Sequence, residues 1–201
     1  MIIITGAAGF IGSNLAKRLN NKGYEELILI DDINHPIKKS NIDSLKYDKM
    51  IGIQDFLKWM KKNKKIKITA VFHLGACSDT LEKNKKFLNE NNVIYSQKIW
   101  EFCSEVNAKF IYASSAATYG NGLNGFSDDH NNIYNLKPLN EYGQSKQDFD
   151  IWALSQKNKP YFWAGLKYFN VYGPGEHHKG RMASVVCHFL NQLNETSVLK
   201  L

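Results

Sequence analysis

Short runs rich in β-branched and aromatic residues recur along the chain at residues 1–5, 27–31, 70–74, 109–114 and 163–169, each the length of a buried strand. Between most of them, apolar positions fall at helical spacing, which predicts helices over 10–21, 54–63, 84–106, 141–157 and 182–193. A weaker strand is expected over 49–53. Strands alternating with helices predict an α/β fold, a doubly wound parallel sheet with helices on both faces. The most loop-like stretch is 121–139, rich in Asn, Gly and Asp, with Pro138 near its end. Placed between a strand and a helix, it is a candidate to flank a site.

Composition narrows this picture. With 201 residues, 43% hydrophobic and 12% aromatic, the chain can bury a substantial core in one domain or slightly more. The longest apolar runs, such as 1–4 and 27–30, are too short to cross a bilayer, and no basic region precedes a signal core. No membrane partner and a cytoplasmic location are therefore expected. Cys77, Cys103 and Cys187 are odd in number, widely spaced and without a C-x-x-C pair, which suggests neither a disulfide framework nor a zinc site. His177 and His178 lack a third ligand at suitable spacing, so no metal is expected. The formal charge is +7, but Arg18 and Arg181 are the only arginines; with few forked donors for phosphate and base edges, no nucleic-acid partner is expected. The lysine-rich run 58–67 is the polar side of an amphipathic helix around Phe56, Leu57, Trp59 and Met60.

Candidate chemistry begins where the first strand enters Thr5-Gly6-Ala7-Ala8-Gly9-Phe10-Ile11-Gly12 and a helix follows. In a strand-to-helix turn of this kind Gly6 permits the tight bend, Gly9 admits a pyrophosphate close to the backbone, and Gly12 lets helix and strand pack. The second strand ends in Asp31, about twenty residues on, where a carboxylate meets the adenosine ribose. The two signals together indicate a Rossmann-like, NAD(P)-binding unit. Asp31 favours NAD by repelling a 2′-phosphate, whereas Lys38 and Lys39 in the adjoining loop could neutralise one; spacing leaves the choice open.

Tyr142 and Lys146, four apart on an expected helix, project from one face, and Ser115 stands at a strand's C-terminal end, the edge where parallel sheets place ligands. A free tyrosine ionises near pH 10, so a phenolate base at neutral pH needs roughly 4 kcal/mol of favourable electrostatics. Lys146 and an oxidised nicotinamide, both cationic, would supply it. Tyr142 would then exchange a proton with a substrate hydroxyl while Ser115 hydrogen-bonds the developing carbonyl oxygen.

These features resemble the extended short-chain dehydrogenase/reductases, the nucleotide-sugar epimerases and dehydratases, through TGAAGFIG, YASSAATYG, EYGQSK and KYFNVYGPG, which together cover most of the chain. HLGACSDT at 73–80, ASSAATYG at 113–120 and YFNVYGPGEHHKGRMASV at 168–185 are similar, more narrowly, to the branch acting on an ADP-linked heptose. The resemblance implies a tightly held NADP, with NAD the less favoured alternative. Hydride would leave C6″ of ADP-D-glycero-D-manno-heptose, giving a transient ketone, and return to the opposite face, an isomerase step in lipopolysaccharide core heptose biosynthesis. It implies Tyr142 and Lys179 as acid/base groups on opposite faces, with Lys146 supporting the cofactor and Ser115 the substrate oxygen. Matching cofactor positions are Phe10, Ile11, Asp31, Asp32, Lys38, the turn Leu74, Gly75, Ala76, Cys77 and Ser78, then Asn91, Val171 and Lys179. Asn170, Arg181 and His188 match substrate positions, although Arg181 stands where the family commonly has a small serine. A homo-oligomer is also implied.

Members of the family continue well past the position of Leu201. Residues 1–170 are thus expected to form the NAD(P)-binding domain and 171–201 only the start of a substrate-binding region that is largely absent. Apolar positions Val185, Val186, Phe189, Leu190 and Leu193 would want a partner surface. Two other functions stay open. One is a different nucleotide-sugar epimerase or dehydratase, although Ala116 and Ala117 offer no acidic residue beside the serine as a dehydratase would require. The other is a non-catalytic NADP-binding chain.

Overall fold

The computed structural model describes residues 1–32, 34 and 37–199. Six strands, β1 (Ile2–Thr5), β2 (Leu27–Asp31), β3 (Lys49–Gly52), β4 (Ala70–His73), β5 (Lys109–Ser115) and β6 (Trp163–Tyr168), pair in parallel in the order β3-β2-β1-β4-β5-β6. The order reverses between β1 and β4, which opens a crevice at the carboxyl ends of those strands. Helices α1 (Phe10–Asn21), α2 (Ile53–Lys62), α3 (Lys85–Leu88), α4 (Tyr95–Glu105), α5 (Glu141–Ser155) and α6 (Val185–Thr196) supply the crossovers and the tail.

β2 is buried at every position, as a strand covered on both faces must be. One face packs Ile3, Ile28, Val71 and Phe110 against Phe56 and Met60 of α2, Trp100 of α4 and Phe149 of α5. Ile4, Leu27 and Leu29 meet Ala16 of α1 on the other. Trp100, with its ring edge-on to Phe110, Phe149, Trp152 and Trp163, is the largest fully buried side chain. Losing a side chain of this size from a packed core costs about 3–5 kcal/mol.

The expected elements differ from the observed ones mainly at their ends, with two informative exceptions. The helix expected over 84–106 is interrupted by a π-turn, Asn89–Ile94, between α3 and α4. The helix expected from 182 begins at Val185, where Ser184 caps it by accepting from the Cys187 N–H, and His177–Met182 is a separate 3₁₀ turn. On α6, Val185, Val186, Leu190 and Leu193 are exposed. No helix among the described residues is long and apolar enough to cross a membrane.

A buried histidine ties the crevice floor together. His73, at the end of β4, pairs through Nδ1 with Thr5 Oγ1 at 2.7 Å and through Nε2 with Ser96 Oγ of α4 at 2.8 Å. Because Ser96 gives its proton to the Asn92 carbonyl, we assign Nε2 as the donor and Nδ1 as the acceptor from Thr5. Burial, reinforced by the Lys146 charge, holds His73 down to about 3. Between about pH 6.5 and 3 the unfolded imidazole therefore takes up a proton that the folded one refuses, so this contribution to stability is lost as pH falls through that window. Denaturant titrations from pH 7 to 4 should show wild type losing about 1 kcal/mol per pH unit more than His73→Gln. Parallel pH dependence of the two would refute this assignment.

Candidate active site

The parallel sheet delivers the carboxyl ends of β1, β2, β4, β5 and β6 to one edge. At the first of these the chain turns on Gly6, with φ of +67°, where a Cβ would stand 2.7 Å from Gly75 Cα. A Cβ on Gly12 would stand 2.1 Å from the Gly6 carbonyl oxygen. Both positions thus require glycine, one by backbone conformation and contact, the other by contact alone. Gly9 caps α1 with no side-chain hydrogen bond, and the first turn carries no acid. The N–H groups of Phe10, Ile11 and Gly12 therefore point without intrahelical partners or opposing charge to where a pyrophosphate would sit. The residues fit a dinucleotide.

Asp31 is 2% exposed. Its Oδ2 accepts from Ala8 N at 2.9 Å, and its Oδ1 accepts from Asp32 N at 2.8 Å and Lys38 Nζ at 3.1 Å. The carboxylate expected at the ribose thus braces the glycine turn against β2, with Lys38 balancing its charge, while Asp32 is the exposed acid beside it. Across the switch point the turn from Leu74 to Ser78 follows β4. Thr5 Oγ1 holds Gly75 N at 3.0 Å, and Ala76 and Ser78 are exposed. Cys77 is held by its backbone: its N–H gives to Asn92 Oδ1 at 2.9 Å, and its carbonyl accepts from Asn92 Nδ2 at 3.0 Å. Asn92 Nδ2 also reaches Ser145 Oγ on α5 at 3.0 Å. Asn91, the asparagine expected at the cofactor, is half-buried and returns its amide to the Phe87 carbonyl at 2.8 Å. The π-turn aims Asn92 inward, a placement that a regular 3.6-residue repeat does not reveal.

Ser115 ends β5 and Tyr142 opens α5, where Asn140 caps the helix by accepting from the Gly143 N–H. The two meet: the Ser115 hydroxyl pulls the Tyr142 phenol down, but burial outweighs it and raises the phenol above its ordinary value, with Cys77 adding to the rise. Without a cofactor the chain therefore keeps Tyr142 protonated. Lys146 is 7% exposed and donates from Nζ to the Ala113 carbonyl at 2.9 Å. Its burial lowers the ammonium to about 8, against the pull of Asp150.

Lys179 lies on the 3₁₀ turn His177–Met182, its Nζ 5.6 Å from the centre of the Phe10 ring, on the β1 side of the switch point, with Tyr142 on the β5 side. Glu176, unnoticed in the sequence, clamps this segment by accepting from Gly173 N, Ser184 N and Ser184 Oγ at 2.9, 2.6 and 2.9 Å. His177 pairs with Ser40 at 3.0 Å, and Asn41 donates to His178 Nδ1 at 3.4 Å, so both histidines pin the segment to the loop after β2. Arg181 reaches across to Asp79 at 2.8 Å. Asn170 and Val171 follow β6 and are exposed, and His188 is half-buried on α6. Among the described residues no cluster of three His, Cys, Asp or Glu side chains could hold a metal.

The chain is similar to known proteins. ADP-L-glycero-D-manno-heptose-6-epimerase of Fusobacterium nucleatum is 48% identical over 204 residues, covering 100% of this chain and 61% of its own length. Among solved structures, the Helicobacter pylori enzyme of that name superposes with a TM-score of 0.82 at 32% identity over 96% of this chain and 62% of its own. UDP-glucuronic acid 4-epimerase from Bacillus cereus, in complex with NAD, gives 0.74 at 27% identity over 96% and 63%. The chain thus spans about three-fifths of the length of the curated relatives it matches. The family model for NAD dependent epimerases/dehydratases matches residues 2–201, taking in the glycine turn, the β4 turn, Ser115, Tyr142 and Lys146, and on that footing the chain belongs to the NAD dependent epimerase/dehydratase family.

Proposed function

We propose that this chain carries the cofactor and proton-transfer half of an ADP-L-glycero-D-manno-heptose 6-epimerase, residues 1–170 forming the NADP-binding domain and 171–201 opening the sugar-binding side. The observation that carries the reading is the convergence of Ser115, Tyr142 and Lys146 on the switch-point edge beside the glycine turn. The N–H groups of Phe10, Ile11 and Gly12 would hold the pyrophosphate, and Asp32 and Lys38 the ribose end, with Leu74 to Ser78, Asn91 and Val171 along the rest. NADP is favoured over NAD because Lys38, paired with Asp31, offsets that carboxylate's repulsion of a 2′-phosphate and leaves only Asp32 to oppose it. Bound there, the nicotinamide ring supplies a reversible hydride acceptor.

The chain's own residues do the rest. Tyr142 takes the proton from the C6″ hydroxyl, Ser115 hydrogen-bonds that oxygen as it becomes a carbonyl, and Lys146 supplies positive charge beneath both. Lys179, on the β1 side, serves the opposite sugar face when the configuration inverts, and Asn170, Arg181 and His188 border the sugar. The hydride removed in the first half of the reaction is returned in the second, so no net oxidant is consumed; in this reading the protein works as a homo-oligomer in the cytoplasm.

The test is to load the protein with NADP, incubate it with ADP-D-glycero-D-manno-heptose and resolve the epimers by chromatography. The L-glycero product, formed without net NADPH, supports the proposal. Dinucleotide binding without turnover favours a binding-only chain, and no dinucleotide binding by folded protein overturns both.

A further inference from the structure

Near their carboxyl ends β5 and β6 are joined to α5 by a buried carboxylate that the scheme above leaves without a task. Asp150, 5% exposed, accepts from the Tyr112 hydroxyl at 2.8 Å, the Ser114 hydroxyl at 2.7 Å and Lys167 Nζ at 2.8 Å. Lys167 also donates to Thr118 Oγ1 at 2.7 Å, and Thr118 gives its own proton to the Ser115 carbonyl at 2.8 Å. Asp150 follows Lys146 by four residues, so the two lie one turn apart on one face of α5. Three successive residues of β5 are gripped in this way. Asp150 holds the side chains of Tyr112 and Ser114, and Lys146 holds the carbonyl of Ala113 between them.

Simple anchoring of α5 would not need an ion. Tyr112 and Ser114 are neutral donors that an amide oxygen could accept, and burying a carboxylate is costly unless its charge is matched. Here one buried negative charge is paired with Lys167 on β6 and lies one helical turn from Lys146 on its own helix. We propose that Asp150 is a positioning residue whose charge, divided between Lys167 and Lys146, sets the charge state of Lys146 in the site and, through Lys167 and Thr118, steadies Ser115. This rests on the epimerase reading only for what Lys146 does there.

The groups facing Lys146 support the division. His73 from β4 is held neutral and Tyr112 of β5 is kept protonated by burial. Cys77 from the β4 turn and Asp150 both favour the ammonium, Asp150 more strongly, while burial opposes it. Tyr142, one turn before Lys146, is raised by burial and so remains uncharged near neutrality. Lys167, hydrogen-bonded to Asp150 at 2.8 Å, competes with Lys146 for that negative charge. Removing Asp150 and removing Lys167 should therefore shift Lys146 in opposite directions, which loss of a structural strut would not do.

The experiment is a pH titration of protein carrying ¹³Cε-labelled lysine, with the Lys146 resonance identified by its loss in Lys146→Met. In wild type the midpoint should lie near 8. Asp150→Asn should lower it by about one unit or more, a tenfold loss of proton affinity, and Lys167→Met should raise it. Movement in the same direction in both variants, or in neither, overturns the proposal. If Asp150→Asn does not fold, Lys167→Met decides: a raised midpoint supports the proposal, and an unchanged or lowered one overturns it. The readout needs no substrate, so absence of epimerisation, which would fail the functional reading, leaves this result independently legible.

Discussion

Tyr142→Phe should reduce epimerisation by about 10²–10⁴-fold, the usual worth of a placed acid/base group, while dinucleotide affinity stays close to wild type. The phenol lies between Ser115 and the opening of α5, so phenylalanine keeps the packing and removes only the proton-carrying oxygen. The sign of the pH dependence follows from burial, which raises Tyr142 above its ordinary value in the chain alone. Ionised Tyr142 is therefore scarce near neutrality, and the rate should rise with pH until another group limits it. Rates for both proteins between pH 6 and 9, beside NADP titrations by fluorescence, check the claim. Retention of more than a tenth of the wild-type rate would remove Tyr142 from the role of principal base.

Gly12→Ala should be as damaging at the other end of the site, through geometry. Replacing a glycine inside a helix by alanine ordinarily gains up to about 1 kcal/mol, but here the new methyl would stand 2.1 Å from the Gly6 carbonyl oxygen. Only backbone displacement relieves such a contact, at about 1–3 kcal/mol or more, and the backbone that moves is the turn offering N–H groups to the pyrophosphate. Dinucleotide affinity is expected to fall at least about 100-fold, equivalent to some 3 kcal/mol, with a lower melting temperature. Gly52→Ala is the control. That glycine precedes α2 at φ −64°, and its Cβ would meet nothing closer than Asp55 Oδ2 at 3.9 Å. Calorimetric titration of NADP into both variants separates the effects, and equal affinities would contradict the close-packed turn.

Lys146 has a partner that its spacing from Tyr142 does not reveal. A lysine four residues after Tyr142 is expected to lower the phenol directly, yet its ammonium hydrogen-bonds the Ala113 carbonyl and is itself lowered to about 8 by burial. Spacing along a helix says which side chains share a face; where their tips go depends on what the opposing strand presents. The same holds for Asp31, whose position at the end of β2 was legible but whose two oxygens serve Ala8, Asp32 and Lys38. Nothing on its own helix marks Asp150 either, because Tyr112 and Ser114 lie on β5, far from it in sequence; Glu176 binds close by, at Gly173 and Ser184, in an irregular turn that has no side-chain period to read.

The alternation of buried strands and amphipathic helices, the glycine turn after β1, and the order Ser115, Tyr142, Lys146 are all legible along the chain. Each of these rests on short-range rules: side-chain period, backbone conformation at glycine, and spacing on one helix. Tertiary structure alone decided that the π-turn sends Asn92 rather than Asn91 inward, that Lys179 rests by Phe10, and that the carboxylate one turn from Lys146 pairs with Lys167. Burial and pairing of charge depend on which distant segments the sheet brings together, and no local pattern encodes that.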